Sequence, residues 1–94
     1  MFHNMLYAYE VYKERSFSKA AENLYITQPS LSAAIKKIEE RIGSPIFDRS
    51  TTPISLTECG KEYIKAVEKI MDIQSGFERY LGDFIDLKTG TLSI

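Results

Sequence analysis

Ninety-four residues, 44% of them hydrophobic and 27% charged, fit one small domain or a domain with an appendage, and exclude a disordered tail or a collagen-like repeat. A single cysteine, Cys59, and a single histidine, His3, exclude an internal disulfide and a zinc site built from this chain alone. With a net charge of −1 there is no broad positive field, so any contact with nucleic acid must come from a few placed cations and from uncharged donors.

The two halves differ little in charge: residues 1–56 carry seven Lys and Arg against six Asp and Glu, and residues 57–94 carry five against seven. No apolar run approaches the ~18 residues of a membrane span, and residues 1–5 lack the charged-then-apolar layout of a signal peptide. A cytoplasmic chain without membrane contact is expected.

In chain order the sequence reads as four helices and one non-helical insertion. Met5 to Arg15 is apolar at most positions with charge gathering at its end, the pattern of a largely buried helix that Asn4 could cap. Ser18 is the expected cap of a short second helix, Lys19 to Leu24. Thr27 caps the third, Pro29 occupies its first turn and Gly43 stops it after Ile42. Leu31, Ile35, Ile38 and Ile42 form its apolar stripe.

From Ser44 to Leu56 the helical period is lost, and Ile46-Phe47 and Ile54-Ser55-Leu56 read as the strands of a small hairpin. Thr57 caps a fourth segment that begins at Glu58 and keeps apolar residues at helical spacing for about 30 residues. Such a helix, ~45 Å long at 1.5 Å per residue, overshoots a domain of this size, so something else must cover its stripe. Gly76 and Gly82 weaken its far end, and the pattern is gone from Leu87 onward.

The step from the second helix to the third is the informative one. Only Tyr25 and Ile26 separate Leu24 from the Thr27 cap, so the two helices must cross steeply, with Ala20 and Ala21 permitting close approach and Ile26 and Leu31 filling the corner. That is a helix-turn-helix. If Leu31, Ile35 and Ile38 face the core, then Gln28, Pro29, Ser32, Ala33 and Lys36 lie on the opposite face. A solvated face favours Glu, Lys and Arg, whereas small and amide residues suit a surface that approaches base edges: glutamine pairs with adenine, alanine and proline touch a thymine methyl, and serine reaches either kind of base. The alternative is that Gln28, Pro29 and Ser30 serve only to start the helix.

The stretch "SFSKAAENLYITQPSLSAAIKKIEERIGSPIFDRSTTPISLTECG" resembles the N-terminal DNA-binding domain of the LysR-type transcriptional regulators. The match is carried by Ser16-Phe17 with Ala20-Ala21, Leu24, Gln28-Pro29, Leu31-Ser32, Ile35, Ile38-Glu39, Ile42-Gly43, Phe47 with Arg49, and Leu56-Thr57 with Gly60. The resemblance implies a mainly α winged helix-turn-helix over residues 1–57, a three-helix core plus a two-stranded wing. It further implies a recognition helix over 28–42 for the major groove and a wing over 46–56 for the minor groove or backbone. A long dimerisation helix over 58–87 and the start of a truncated effector-binding domain over 88–94 would follow. No cofactor is expected in this region, a small-molecule effector belonging only to the absent C-terminal domain. Expected partners are double-stranded DNA carrying an interrupted inverted repeat and a second copy of the chain, with a tetramer possible for a full-length protein.

Candidate DNA-binding residues are Ser18, Thr27, Gln28, Pro29, Ser30, Ser32, Ala33, Lys36, Lys37 and Arg49. The hydroxyls stand beside the free amides of helix N-termini. The family often has arginine after Leu-Ser and another basic residue beyond Phe-x-Arg. Here Ala33-Ala34 and Ser50-Thr51-Thr52 stand there, which leaves Arg49 as the main cation for a phosphate or a narrow minor groove. Candidate dimerisation residues are Ile64, Val67, Ile70, Met71, Phe77 and Leu81, whose stripe has no partner among the short helices; the alternative has Tyr63, Ile64 and Val67 packing on the domain itself. A winged helix that dimerises and binds protein instead of DNA is the competing class. Enzymatic activity is not expected, since Cys59 has no histidine near it in sequence and no glycine-rich phosphate loop occurs.

Overall fold

The computed structural model describes the backbone of residues 2–89 and the side chains of residues 4–86. In chain order it comprises α1 (Phe2–Glu14), α2 (Phe17–Leu24), α3 (Gln28–Ile42), β1 (Phe47–Asp48), β2 (Ser55–Leu56) and α4 (Glu58–Thr89). The first three helices close over Ala8, Val11, Ala20, Leu31 and Ile35, all fully buried, and Ile46 completes the core from the wing side. Ala20 and Ala21 are buried where α2 crosses α3, so the small residues do permit the close approach their positions implied. Among the described residues no helix is long and apolar enough to cross a membrane.

The caps of the first two helices differ from expectation. A cap must lie outside the helical backbone, and Asn4 is already inside α1. Ser16, not Ser18, caps α2: its backbone is extended (φ −157°, ψ 126°) and its hydroxyl accepts the Lys19 N–H at 3.1 Å. The reason lies one residue on. Phe17 is buried edge-on against Phe47, ring centroids 5.9 Å apart, which places the chain reversal at Arg15 and leaves Ser16 as the last extended residue. Thr27 and Gly43 act as expected: Thr27 accepts the Ser30 N–H at 3.2 Å, and Gly43, at φ 86°, closes α3 onto the Glu39 carbonyl.

Tyr25 closes α2 from the left-handed region (φ 58°, ψ 38°), with its own N–H donating to the Glu22 carbonyl and the Ile26 N–H to that of Ala21. This is the paired-bond helix end that glycine usually occupies. Its ring is 95% exposed, so the fold gains no packing from it. Tyr25→Gly should therefore stabilise the domain by about 1 kcal/mol, strain relief exceeding the entropy glycine loses. Thermal melting should rise by about 4–8 °C, and an unchanged or lower midpoint would count against the strain.

The wing is a two-stranded antiparallel ladder pairing Phe47 with Leu56 and Asp48 with Ser55. Its first strand begins one residue later than the expected Ile46, because the Ile46 N–H is taken at 2.8 Å by the Glu39 carboxylate instead of a strand partner. Thr57 joins wing to α4: its hydroxyl accepts the Gly60 N–H at 2.9 Å and donates to the Pro45 carbonyl at 2.6 Å.

One helix runs unbroken through Gly76 and Gly82 and past the expected end at residue 87, reaching Thr89; residues 90–94, expected to open a further domain, lie outside the described residues. Its first turns belong to the core. Ile64 and Val67, expected at a dimer interface, are 3% and 2% exposed within a single copy, which corrects that assignment: they close the domain and are not free to meet a partner. Met71 is half-buried beside Tyr9 of α1. Beyond it the helix leaves the domain, giving the molecule its 55 Å long axis against 25 and 21 Å.

Candidate nucleic-acid interface

The residues singled out from the sequence fall into three groups. Gln28, Pro29 and Ser30 are exposed on the first turn of α3, next to the exposed Thr27 cap. Ser32, Ala33 and Lys36 follow on the same helix and, with Arg49 across from them, line one open groove of about 610 Å³ between α3 and the base of the wing. Lys37 is exposed but does not line it, and Ser18, exposed at the start of α2, shares a 3.2 Å hydrogen bond with Ser16.

Arg49 is held where it stands. Its guanidinium lies over the Phe17 ring, 4.1 Å from the centroid, a cation–π distance. Phe17 is fixed in turn by its edge contact with Phe47. The neighbouring Asp48 is engaged within the wing: its carboxylate accepts both the Ser50 N–H at 2.9 Å and the Ser50 hydroxyl at 2.5 Å. Those bonds favour the ionised form and hold the carboxyl below its usual range, its exposure leaving little burial to oppose them. The second acid of the groove, Glu39, is likewise occupied, by the Ile46 amide. Both carboxylates in the groove thus bind the protein's own donors.

Ion pairing sorts the cations. Lys13 pairs with Glu10 at 3.3 Å and Lys19 with Glu22 at 3.8 Å. Among the described residues no ion pair engages Arg15, Lys36, Lys37, Arg41 or Arg49. Lys36 and Arg49, the two that line the groove, are therefore available to an anion.

Several residues matter to this geometry in ways the sequence does not assign, Thr57 reading there only as the cap of α4. Glu39 and Thr57 tie α3, wing and α4 together, and Phe17 carries the arginine. Gly60 is buried where a Cβ would collide with the Ile46 carbonyl oxygen. Glu39 sits on the flank of the apolar stripe, and one of two adjacent glutamates in a run with Lys36, Lys37 and Arg41 gives no sign that it reaches back to a backbone amide.

A short helix crossing a second whose polar front stands free, with a hairpin beside it bearing an unpaired arginine, defines a winged helix-turn-helix of the nucleic-acid-binding class. The sequence model of the family described as bacterial regulatory helix-turn-helix proteins, lysR family, matches residues 2–61, and the chain belongs to that family. A probable RuBisCO transcriptional regulator of Cyanidioschyzon merolae is 40% identical over 81 residues, 86% of this chain and 27% of the relative. The uncharacterized HTH-type transcriptional regulator YcgK of Bacillus subtilis is 46% identical over 67 residues, 71% of this chain and 21% of that protein. This chain thus spans about a quarter of the length of these relatives. Among solved structures, the BenM DNA-binding domain in complex with catB site 1 DNA superposes with a TM-score of 0.82 at 27% identity, covering 90% of this chain and 94% of that one. The LysR family regulator VV2_1132 gives 0.77 at 28% identity, over 94% and 31%.

Proposed function

We propose that this chain is the DNA-reading end of a transcriptional regulator and binds as a homodimer to an interrupted inverted repeat. One observation carries the reading: the exposed side of α3 and the arginine of the wing border a single open groove, with Ser32, Ala33, Lys36 and Arg49 on its walls. In this reading α3 enters the major groove. Gln28 meets adenine, Pro29 and Ala33 meet thymine methyls, and Ser32 reaches either kind of base. Arg49 takes a backbone phosphate or a narrow minor groove, preset by its stack on Phe17. The relative solved as a DNA complex supports this reading.

Dimerisation rests on α4. Ile70, Ile73, Phe77, Tyr80 and Phe84 are exposed and alternate at spacings of three and four residues, the repeat that packs one helix along another. A second copy is the economical partner, since a two-fold dimer presents two recognition helices to two half-sites about one helical turn apart. A longer protein would add the domain that senses a small-molecule effector, and tetramers would form at that level.

Footprinting of the dimer on DNA upstream of its own gene tests this reading. Protection of an interrupted inverted repeat should be lost on Gln28→Ala or Arg49→Ala. With so few unpaired cations, affinity should fall with salt less steeply than six phosphate contacts per monomer would require, at about 0.9 in log–log slope per contact. Binding that responds to salt but ignores sequence would overturn specific readout.

A further inference from the structure

Lys36 and Arg49 line the groove described above; Arg15 does not, and it stands apart from α3 and the wing in sequence. It occupies the turn between α1 and α2 in the left-handed region, at φ 53°, a conformation that glycine adopts without steric cost and other L-residues only under strain. Its amide closes α1 by donating to the Val11 carbonyl at 2.7 Å, which any residue but proline could do. Nothing in the fold asks for an arginine there.

Its side chain is exposed, with the guanidinium 5.9 Å from the centroid of the Tyr12 ring. The lysines on either side in sequence, Lys13 and Lys19, are engaged by glutamates; among the described residues Arg15 is in no ion pair. It borders a narrow seam with Phe47 and the second strand of the wing. Arg49 stacks on Phe17, which meets that same Phe47 edge-on. An arginine of the wing and one of the turn that opens α2, neither in an ion pair, thus border the two sides of the Phe17–Phe47 contact. In helix-turn-helix docking the first helix of the motif crosses the phosphate backbone while the second enters the groove. A cation at the start of α2 falls where that backbone passes.

We propose that Arg15 is a further DNA-contacting residue, binding a backbone phosphate beside the one taken by Arg49. This rests on the DNA-binding reading given above. The contact supplies charge that the alanine-bearing front of α3 lacks, and it adds affinity without sequence preference.

The test uses the 94-residue chain, a random-sequence 30-bp duplex and a fragment from upstream of its own gene, titrated across a salt series beside thermal melts. Arg15→Gly should melt at the same temperature or higher, yet bind both duplexes about five- to tenfold more weakly, with the salt slope reduced by about 0.9 per monomer. Arg15→Lys should restore most of the slope. An unchanged slope in Arg15→Gly, or a loss of affinity that appears only together with a lower melting point, overturns the proposal. Arg49→Ala, run in parallel, separates the two readings: if it too leaves binding and slope intact, the DNA-binding face itself is misassigned.

Discussion

Phe77→Glu should yield a folded monomer that binds DNA weakly. Phe77 is 59% exposed and Ile73, one step before it in the same seam, 71%, so neither contributes to the core of one copy and the variant should stay folded, losing in thermal melting only what association contributed. The charge acts instead on association. A carboxylate buried in an apolar helix seam without a partner costs several kcal/mol, enough to dissociate a dimer held by one pair of helices. Binding then loses its second half-site, and with it the effective concentration that links the two events, so affinity for the inverted repeat should fall by about a hundredfold or more. Sedimentation and titration of the same sample check both parts. If the variant still sediments as a dimer, the seam is not the interface. Ile64→Glu cannot serve in its place, because Ile64 is buried within one copy and the substitution would unfold the domain.

Gly60→Ala should destabilise the fold severely. A methyl group at this position would collide with the Ile46 carbonyl, whose oxygen and carbon are backbone atoms, with the Ile46 side chain also close. That carbonyl also accepts the Thr57 N–H at 3.0 Å. To admit a methyl group the first turn of α4 must separate from the wing, which disturbs Thr57 and the Glu39 bond to Ile46 together. A cost of about 3 kcal/mol or more is expected for such overpacking against backbone, lowering the melting midpoint by more than about 12 °C in a domain this small. A midpoint within about 2 °C of the parent would show that the wing and α4 have room to part.

Much of this was legible in the residues themselves. Thr27, Pro29 and Gly43 announce the limits of α3 because capping is local: a hydroxyl three residues from an amide, a ring with no N–H to satisfy, a backbone that tolerates φ 86°. Leu31, Ile35 and Ile38 declare their face through a period that the helix geometry imposes, and all three are buried. Once that face is assigned, the exposure of Gln28, Pro29 and Ala33 follows.

Other features depend on neighbours far along the chain. Ser16 caps α2 in place of Ser18 because Phe17 finds Phe47, thirty residues away. No local propensity contains that contact. The apolar stripe of α4 looks continuous in sequence, and only packing divides it into Ile64 and Val67, which close the core, and Ile70, Ile73 and Phe77, which are left in solvent. Hydrophobic spacing reports that a face is apolar, never what covers it. Likewise a count of charges near zero hides which cations are spent on their own carboxylates and which remain for an anion, since pairing is set by three-dimensional distance. Local residue patterns suffice for the helices, the caps of α3 and the face that meets DNA in the proposed reading. Which arginines are in no ion pair, how Phe17 and Glu39 hold the wing to α3, and where the core ends along α4 depend on contacts between residues far apart in the chain.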